Sequence, residues 1–173
     1  MIPFIGFAGF SDSGKTTLIS RLVKHYQNQG IRVGVIKHDA HGHYKEAAGS
    51  DSSQYIHAGA SAAVVVSPES YIVYRREPHT LEQMVEKLQS EALDLILVEG
   101  FKQGKHDQIA LFRSEEQANI INQLPREPVA IVAPMELTGC CPDFVPRFAP
   151  DDIASIAEFI LLHIKFNARE DGC

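Results

Sequence analysis

Eight residues near the start of the chain, GFSDSGKT, have the types and the spacing of a loop that binds phosphate groups. The pattern G-x-x-x-x-G-K-[ST] is matched by Gly9, Gly14, Lys15 and Thr16. In such a loop the backbone N–H groups point into one concavity, the lysine adds a mobile positive charge, and the hydroxyl can ligate a magnesium ion that bridges the phosphates. The motif therefore predicts a site for a nucleoside triphosphate and Mg²⁺, with Lys15 as a catalytic residue and Thr16 as a metal ligand.

A strand must enter this loop and a helix must leave it, and the flanking sequence supplies both. The apolar run PFIGFAG precedes the loop, and apolar residues at helical spacing follow it: Leu18, Ile19, Leu22, Val23 and Tyr26. Orphan N–H groups and the helix dipole favour an anion at a helix N-terminus, so the phosphates should lie where loop and helix meet. We expect the cradle to be formed by the backbone of Gly9, Ser11, Asp12, Ser13 and Gly14.

The composition is that of an ordinary globular protein. The chain has 173 residues, 45% of them hydrophobic and 22% charged, and this length predicts one nucleotide-binding domain over residues 1–173. A net charge of −6, with the basic residues scattered, argues against nucleic-acid binding. There is no apolar run near the ~20 residues that span a bilayer and no signal-peptide pattern, so we expect no membrane partner and a cytoplasmic protein. The three cysteines predict free thiols.

Strand and helix patterns alternate along the rest of the chain. The strand patterns are RVGVIK, LDLILVEG, QIALFR and VAIVA, and the second is apolar enough for a central parallel strand covered on both faces. One helix is predicted from Thr80, and another from Pro150 with Asp151 and Asp152 in its first turn. This alternation behind a phosphate loop predicts an α/β fold, the three-layer P-loop NTPase fold with a mostly parallel central sheet.

Two strand patterns in the middle of the chain are not separated by a helix. AAVVVS and YIVYRR follow each other around Pro68, which predicts an antiparallel β-hairpin appended to the main sheet. An apolar hairpin of this kind could pair with a second subunit. Arg75 and Arg76 at its end could neutralise phosphate charge in that subunit, although ordinary surface arginines are the more common case.

Carboxylates must complete the site, because hydrolysis needs groups that anchor magnesium and place the attacking oxygen. Glu99 ends the strand LILV at the sheet edge where the phosphate loop lies, and Gly100 lets the backbone turn away close to the ligand. We predict that Glu99 is catalytic and binds the metal, and we assign Asp51 the same two roles. Asp51, in the polar segment 38–60, could reach the magnesium directly or through water, or could bond only its own backbone. Asp94 precedes the same strand and should lie at the far edge.

The second strand pattern ends in Lys37 and His38 at the same edge, so both are predicted to bind near the nucleotide phosphates. Segment 38–60 is long for a simple connection, which predicts a functional loop around a short helix. His38, His41 and His43 also suggest a transition-metal site, because imidazole is a common ligand. No cysteine lies near them in the sequence, and metal binding is the less favoured interpretation.

Five motifs follow one another along residues 2–134: GFSDSGKTT, GVIKHDAH, GSDSSQYIHAGA, DLILVEGFK and IALFR. In this order they resemble the MobB family of molybdopterin-guanine dinucleotide biosynthesis adaptor proteins. The resemblance implies a GTP-binding, weakly hydrolysing homodimer that assists a MobA-type enzyme in attaching GMP to molybdopterin. It also implies phosphate contacts from Gly14, Lys15, Thr16 and Thr17, and magnesium-side roles for Thr16, Asp51 and Glu99.

One signature common among guanine-binding proteins, [NT]-K-x-D after a late strand, is absent. After VAIVA the chain reads Pro134, Met135 and Glu136. Guanine selectivity therefore follows from the resemblance alone, with the backbone after Val132 as the candidate reader of the base. Three other functions remain open: a metal-delivery GTPase, a P-loop small-molecule kinase, and a nucleotide-gated interaction module without turnover.

Overall fold

The computed structural model describes residues 1–39, 42, 50–75 and 77–170. These divide into two compact units, of which the second comprises residues 39–80 and the first the remainder. Each unit has its own sheet. The assignment of residues 1–173 to a single nucleotide-binding domain stays a prediction.

A six-stranded parallel sheet forms the centre of the first unit. Its strands are β1 (Phe4–Ala8), β2 (Val33–Lys37), β5 (Leu95–Glu99), β6 (Gln108–Leu111), β7 (Ala130–Val132) and β8 (Arg147–Phe148). They lie in the order β2-β5-β1-β6-β7-β8, and every neighbouring pair is parallel. β5 is buried at each position, which agrees with its nearly continuous apolar sequence and its place beside β1.

Helices cover both faces of this sheet. They are α1 (Lys15–Asn28), α3 (Leu81–Lys87), α4 (Glu115–Ala118) and α5 (Ile153–Glu170), whereas α2 (Asp51–His57) belongs to the second unit. Side chains alternate between the faces along each strand. Leu95 and Leu97 therefore join the core beneath α1 and α5, while Ile96 and Val98 join a core with α3. The result is the three-layer α/β arrangement that the sequence predicts.

The last helix begins later than its predicted start at Pro150. α5 starts at Ile153 and has no acidic residue in its first turn, so the placement of Asp151 and Asp152 there was wrong. Asp152 instead precedes the helix, and its Oδ1 accepts a 3.2 Å hydrogen bond from the N–H of Ser155. This contact caps the helix, because an N–H group in the first turn has no acceptor within the helix. Asp151 pairs with Arg21 at 2.8 Å. Within the described ranges no helix, α5 included, has the length and apolar character to cross a membrane.

The second unit contains α2 and the predicted hairpin. The hydroxyl of Ser50 accepts a 3.2 Å hydrogen bond from the N–H of Ser53 and so caps α2, which confirms the short helix predicted within segment 38–60. β3 (Ala62–Val66) and β4 (Tyr71–Arg75) pair antiparallel, with Val64 opposite Val73. The hairpin prediction is confirmed, and the two strands form a sheet of their own.

Candidate nucleotide-binding site

The phosphate loop connects β1 to α1 through a backbone that needs glycine at two points. Gly14 has a φ of 97° and precedes α1, a conformation that residues with a Cβ rarely adopt. Gly9 is required by packing, because a Cβ there would come within 2.5 Å of the carbonyl oxygen of Leu111. Ser13 is only 1% exposed between these glycines. Glycine is therefore required at position 14 by the backbone conformation and at position 9 by the close approach of β6.

Lys15 folds over the loop that carries it. Its ammonium group donates hydrogen bonds to the backbone carbonyls of Gly9 at 3.0 Å and Phe10 at 2.7 Å. Burial lowers the pKa of Lys15, and the negative charge of Glu99 opposes that shift. The loop therefore holds a partly desolvated cation bonded to neutral carbonyls, and such a cation attracts an anion more strongly than one in bulk water.

Glu99 connects the ends of three elements. Its side chain, at the end of β5, is largely buried, and Oε1 accepts a 2.9 Å hydrogen bond from the Thr16 hydroxyl. The same oxygen lies 3.2 Å from Nζ of Lys37 at the end of β2. The β1–β5 register sets Glu99 opposite Phe7, beside the strand that enters the phosphate loop. The structure thus brings together three predicted residues from distant parts of the sequence: Thr16, Lys37 and Glu99.

The chain turns sharply after Glu99. Gly100 and Phe101 have φ values of 90° and 52°, both in the left-handed region. A Cβ on Gly100 would lie 3.1 Å from Cβ of His38, whose ring stacks on Phe101 with 4.3 Å between ring centroids. His38 therefore lies beside Glu99, where its sequence position suggested, and it packs on an aromatic ring. Its contact with a nucleotide stays a prediction.

Two cations near the loop were missed by the site prediction. Arg113 follows β6, and its guanidinium lies against Gly14, since a Cβ on that glycine would come within 2.5 Å of Nη2. Nζ of Lys102 lies 5.1 Å from the centroid of the Phe10 ring, and after burial its charge is among the causes that lower the pKa of Lys15. Both residues occur in the motifs IALFR and VEGFK, which supplied the only signal for them. The phosphate loop is therefore locally basic although the chain carries a net charge of −6.

Two further carboxylates were considered from the sequence, Asp51 and Asp94. Asp51 is the exposed first residue of α2 in the second unit, so its role at a magnesium ion stays a prediction. Asp94 precedes β5 at the opposite sheet edge from the phosphate loop, as expected. A hydrogen bond from the side chain of Arg32 lowers the pKa of Asp94 to about 2.

The histidine and arginine alternatives receive little support from the described residues. His41, His43 and Arg76 lie outside them, and Arg75 pairs with Glu77 at 3.3 Å. In the part of the chain that the structure describes, no group of three or more His, Cys, Asp or Glu residues is placed to hold a metal ion. Cys140 and Cys141 are free thiols, as predicted.

The backbone after Val132, the candidate reader of a base, makes contacts within the chain. The N–H of Ala133 donates to the carbonyl of Phe148 at 3.1 Å. The carbonyl of Pro134 accepts hydrogen bonds from the N–H of Leu137 and from the side chain of Arg147. Base recognition by this backbone stays a prediction. It would need backbone N–H or C=O groups other than these, which already form hydrogen bonds within the chain.

Residues 4–134, which contain the phosphate loop, Lys37 and Glu99, match the family described as "MobB: Molybdopterin guanine dinucleotide synthesis protein B". This match covers well over half of the chain. The chain belongs to the MobB family. The resemblance drawn from the five motifs is thereby confirmed.

Similar proteins from bacteria agree with this assignment. The "Molybdopterin-guanine dinucleotide biosynthesis adapter protein" of Escherichia coli is 38% identical over 117 residues, 65% of this chain and 67% of the relative. The protein of the same description from Haemophilus influenzae is 36% identical, and the matched part covers 65% of its length. The "Probable molybdopterin-guanine dinucleotide biosynthesis adapter protein" of Bacillus subtilis is 27% identical over 165 residues, 94% of each chain.

Solved MobB structures share the fold. The crystal structure of Bacillus subtilis MobB has a TM-score of 0.76 and 26% identity, and the match covers 94% of this chain and 98% of that one. The crystal structure titled "molybdopterin-guanine biosynthesis protein B (mobB)" has a TM-score of 0.72 and 29% identity, with 94% and 99% covered. The predicted fold class, a mostly parallel α/β sheet with an added hairpin, is confirmed.

Proposed function

We propose that this chain is a GTP-binding, weakly GTP-hydrolysing adapter that assists the attachment of GMP to molybdopterin. Membership of the MobB family supports the pathway. The observation that carries the biochemical part is the contact between Thr16 of the phosphate loop and the largely buried Glu99, because it joins a phosphate cradle to a carboxylate suited to magnesium. A metal-delivery GTPase and a small-molecule kinase receive no comparable support from the family match.

The phosphates would be held by the loop and by the first turn of α1. Helix geometry leaves the first N–H groups of α1 without helical acceptors, and no acidic side chain occupies that turn. A phosphate oxygen would offer Lys15 a charged acceptor in place of the carbonyls of Gly9 and Phe10, and a charge-assisted hydrogen bond is the stronger one. Thr16 and Thr17, both exposed in this turn, would add their N–H groups.

The oxygen donors at the loop fit a magnesium ion. Mg²⁺ prefers hard oxygen ligands and keeps several waters, so one hydroxyl and one carboxylate are an adequate protein contribution. Thr16 and Glu99 supply these groups within 2.9 Å of each other. Asp51 is proposed as a further ligand, direct or through water. When bound, the ion would neutralise negative charge on the phosphates. Lys37 beside Glu99 would partly offset the negative charge of that carboxylate.

A second copy of the chain is proposed to cover the hairpin. Its exposed apolar side chains are Val64, Val65, Val66, Tyr71, Ile72 and Val73. Val64, Val66, Tyr71 and Val73 share one face of the hairpin, because paired residues point to the same side and side chains alternate along a strand. Exposed apolar side chains grouped in this way mark an interaction site, and a two-stranded hairpin gains stability from a partner. Val73→Glu should shift the mass in solution from dimer to monomer, whereas Leu162→Glu, at an exposed position of α5, should not. Light scattering on both variants gives the answer, and a wild-type monomer would refute the proposal.

The function is tested by reconstitution. A purified enzyme that transfers GMP to molybdopterin is assayed with GTP, Mg²⁺ and molybdopterin, with and without this protein. The wild-type chain should raise the yield of molybdopterin guanine dinucleotide, and Lys15→Ala should not. Lys24→Ala serves as the matched control, because Lys24 is an exposed residue of α1 away from the loop. Equal yields with the wild type, with Lys15→Ala and without the protein would refute the proposal.

A further inference from the structure

The Arg113 guanidinium lies directly against the phosphate loop. A Cβ built on Gly14 would come within 2.5 Å of Nη2 and 3.0 Å of Cζ and Nε of this arginine. The guanidinium therefore occupies the space beside the last loop residue, where only glycine leaves room for it. Neither the phosphate-loop motif nor the proposed magnesium site assigns a role to this side chain.

The backbone of Arg113 is held in place while its side chain is exposed. Phe112 before it is fully buried, and the N–H of Arg113 donates a 2.9 Å hydrogen bond to Oε1 of Gln117. Ser114 after it caps α4 by accepting a hydrogen bond from the N–H of Gln117. Among the described residues, no carboxylate lies within ion-pair distance of the guanidinium. An exposed guanidinium at a phosphate loop, on a fixed backbone and without a carboxylate partner in the described part of the chain, is placed to bind an anion.

The sheet order indicates which phosphate this cation meets. Glu99 and Lys37 end β5 and β2, which lie on one side of β1, whereas Arg113 follows β6 on the other side. The proposed magnesium ligands Thr16 and Glu99 mark the side of the terminal phosphates. The nucleoside end must then extend away from Glu99 and past β1, toward β6.

We infer that Arg113 is a nucleotide-binding residue that contacts the phosphate next to the nucleoside, on the flank of the loop opposite Glu99. This inference rests on the proposed nucleotide site and extends it. Because the inner phosphates are common to GDP and GTP, Arg113 should strengthen the binding of both ligands equally. It is distinct from an arginine finger, which acts on the terminal phosphoryl group and changes the rate of hydrolysis.

The test compares the affinities of fluorescent GDP and GTP analogues for five proteins: the wild type, Arg113→Ala, Arg113→Lys, Lys15→Ala and Arg126→Ala. Arg113→Ala should weaken both nucleotides by the same factor, about tenfold to a hundredfold, as expected for loss of a charge-assisted bidentate contact. Arg113→Lys keeps the charge but loses the planar fork, so its affinity should be intermediate. Arg126 is an exposed arginine after β6 and α4, and its variant should match the wild type.

The outcomes separate this inference from the proposed function. If the wild type binds neither nucleotide, the nucleotide site itself is wrong and the inference is refuted with it. If binding depends on Lys15 but Arg113→Ala matches the wild type, only the inference is wrong. Weakened GTP binding with unchanged GDP binding would move Arg113 to the terminal phosphate and overturn the assignment to the inner one. Unchanged thermal unfolding of ligand-free Arg113→Ala confirms that the variant is folded.

Discussion

The hydroxyl of Thr16 donates a 2.9 Å hydrogen bond to Oε1 of Glu99, a residue 83 positions away in the sequence. The contact exists because β1 and β5 are parallel neighbours with Phe7 opposite Glu99, so both strands end at the edge where the phosphate loop begins. Neither residue could be placed beside the other by local sequence alone. This pair defines the magnesium side of the proposed site, and Arg113 lies on the opposite flank.

Glu99→Gln should impair magnesium-dependent GTP hydrolysis more than nucleotide binding. The amide keeps the size of the side chain and can still accept a hydrogen bond from Thr16, but it lacks the charge that attracts the ion. We expect a loss of about tenfold to a hundredfold in hydrolysis rate, with a higher magnesium requirement. Glu127→Gln, at an exposed position, is the control and should behave as the wild type. An unchanged magnesium dependence in Glu99→Gln would exclude Glu99 from the metal site.

The isolated protein should hydrolyse GTP slowly, at about 10⁻⁴ to 10⁻² per second, the range of GTPases without an arginine supplied by a partner. Charge spreads over the oxygens of the terminal phosphoryl group in the transition state, and Lys15 and magnesium are the cations proposed to stabilise it, because Lys37 at the same end is already paired with Glu99. Arg113 follows β6, on the other side of β1, and under our inference it would add no positive charge at the terminal phosphate. Single-turnover hydrolysis measures this rate. A rate on the order of tens per second would contradict the proposal of a slow adapter and favour an autonomous enzyme.

The acid sensitivity of folding should depend on Asp94. Its pKa in the folded protein is about 2, below the ordinary value of 3.8, chiefly because the Arg32 side chain bonds the ionised form. The folded state therefore binds this proton less readily than the unfolded state, so the stabilising contribution is complete at neutral pH. It is lost as the pH falls from about 4 toward 2.

Asp94→Asn removes this contribution and should lower the urea midpoint at neutral pH. The difference from the wild type should shrink as the pH is lowered below about 4. Asp143→Asn changes an exposed aspartate elsewhere and should leave the midpoint unchanged at every pH. A difference between Asp94→Asn and the wild type that is constant with pH would contradict the assigned pKa.

Most of the sheet could be predicted from sequence because apolar runs report burial directly. β1, β2, β5, β6 and β7 all lie within the predicted segments. β8 was missed because two residues, Arg147 and Phe148, carry no recognisable pattern. The start of α5 was misplaced because an aspartate in the first turn and an aspartate at the cap look alike in sequence, and only the bond from Ser155 distinguishes them.

Part of the site could also be predicted from the sequence. The phosphate loop is local, and Glu99 and Lys37 could be assigned to one edge because parallel strands end together. Arg113 and Lys102 escaped prediction because their contacts depend on which strand neighbours β1 and on how the backbone turns at Phe101. Without the strand order and this turn, an arginine or a lysine in the sequence looks like an ordinary surface residue.

The packing of α1 against α5 should depend on Tyr26. The side chain is fully buried, and its hydroxyl donates a 3.0 Å hydrogen bond to the carbonyl of Ala157. Burial raises the pKa of Tyr26, so the hydroxyl keeps its proton at any ordinary pH.

Tyr26→Phe should lower the free energy of unfolding by about 1 kcal/mol. Tyr55→Phe, at an exposed position of α2, should change it by less than about 0.5 kcal/mol in the same urea titration. Equal stability of the two variants would show that the hydroxyl contributes nothing to this packing.

The central claim is that the loop from Gly9 to Thr16 binds GTP through Lys15, and equilibrium titration of a fluorescent GTP analogue with magnesium tests it most directly. The wild type and Lys24→Ala should bind with equal affinity. Lys15→Ala should bind at least about a hundredfold more weakly while its circular dichroism spectrum shows a folded protein. Among the described residues, the hydrogen bonds of the lysine go to two backbone carbonyls and to Ser13 of its own loop. Wild-type affinity in folded Lys15→Ala, or no GTP binding by the wild type, would contradict the assignment of this site.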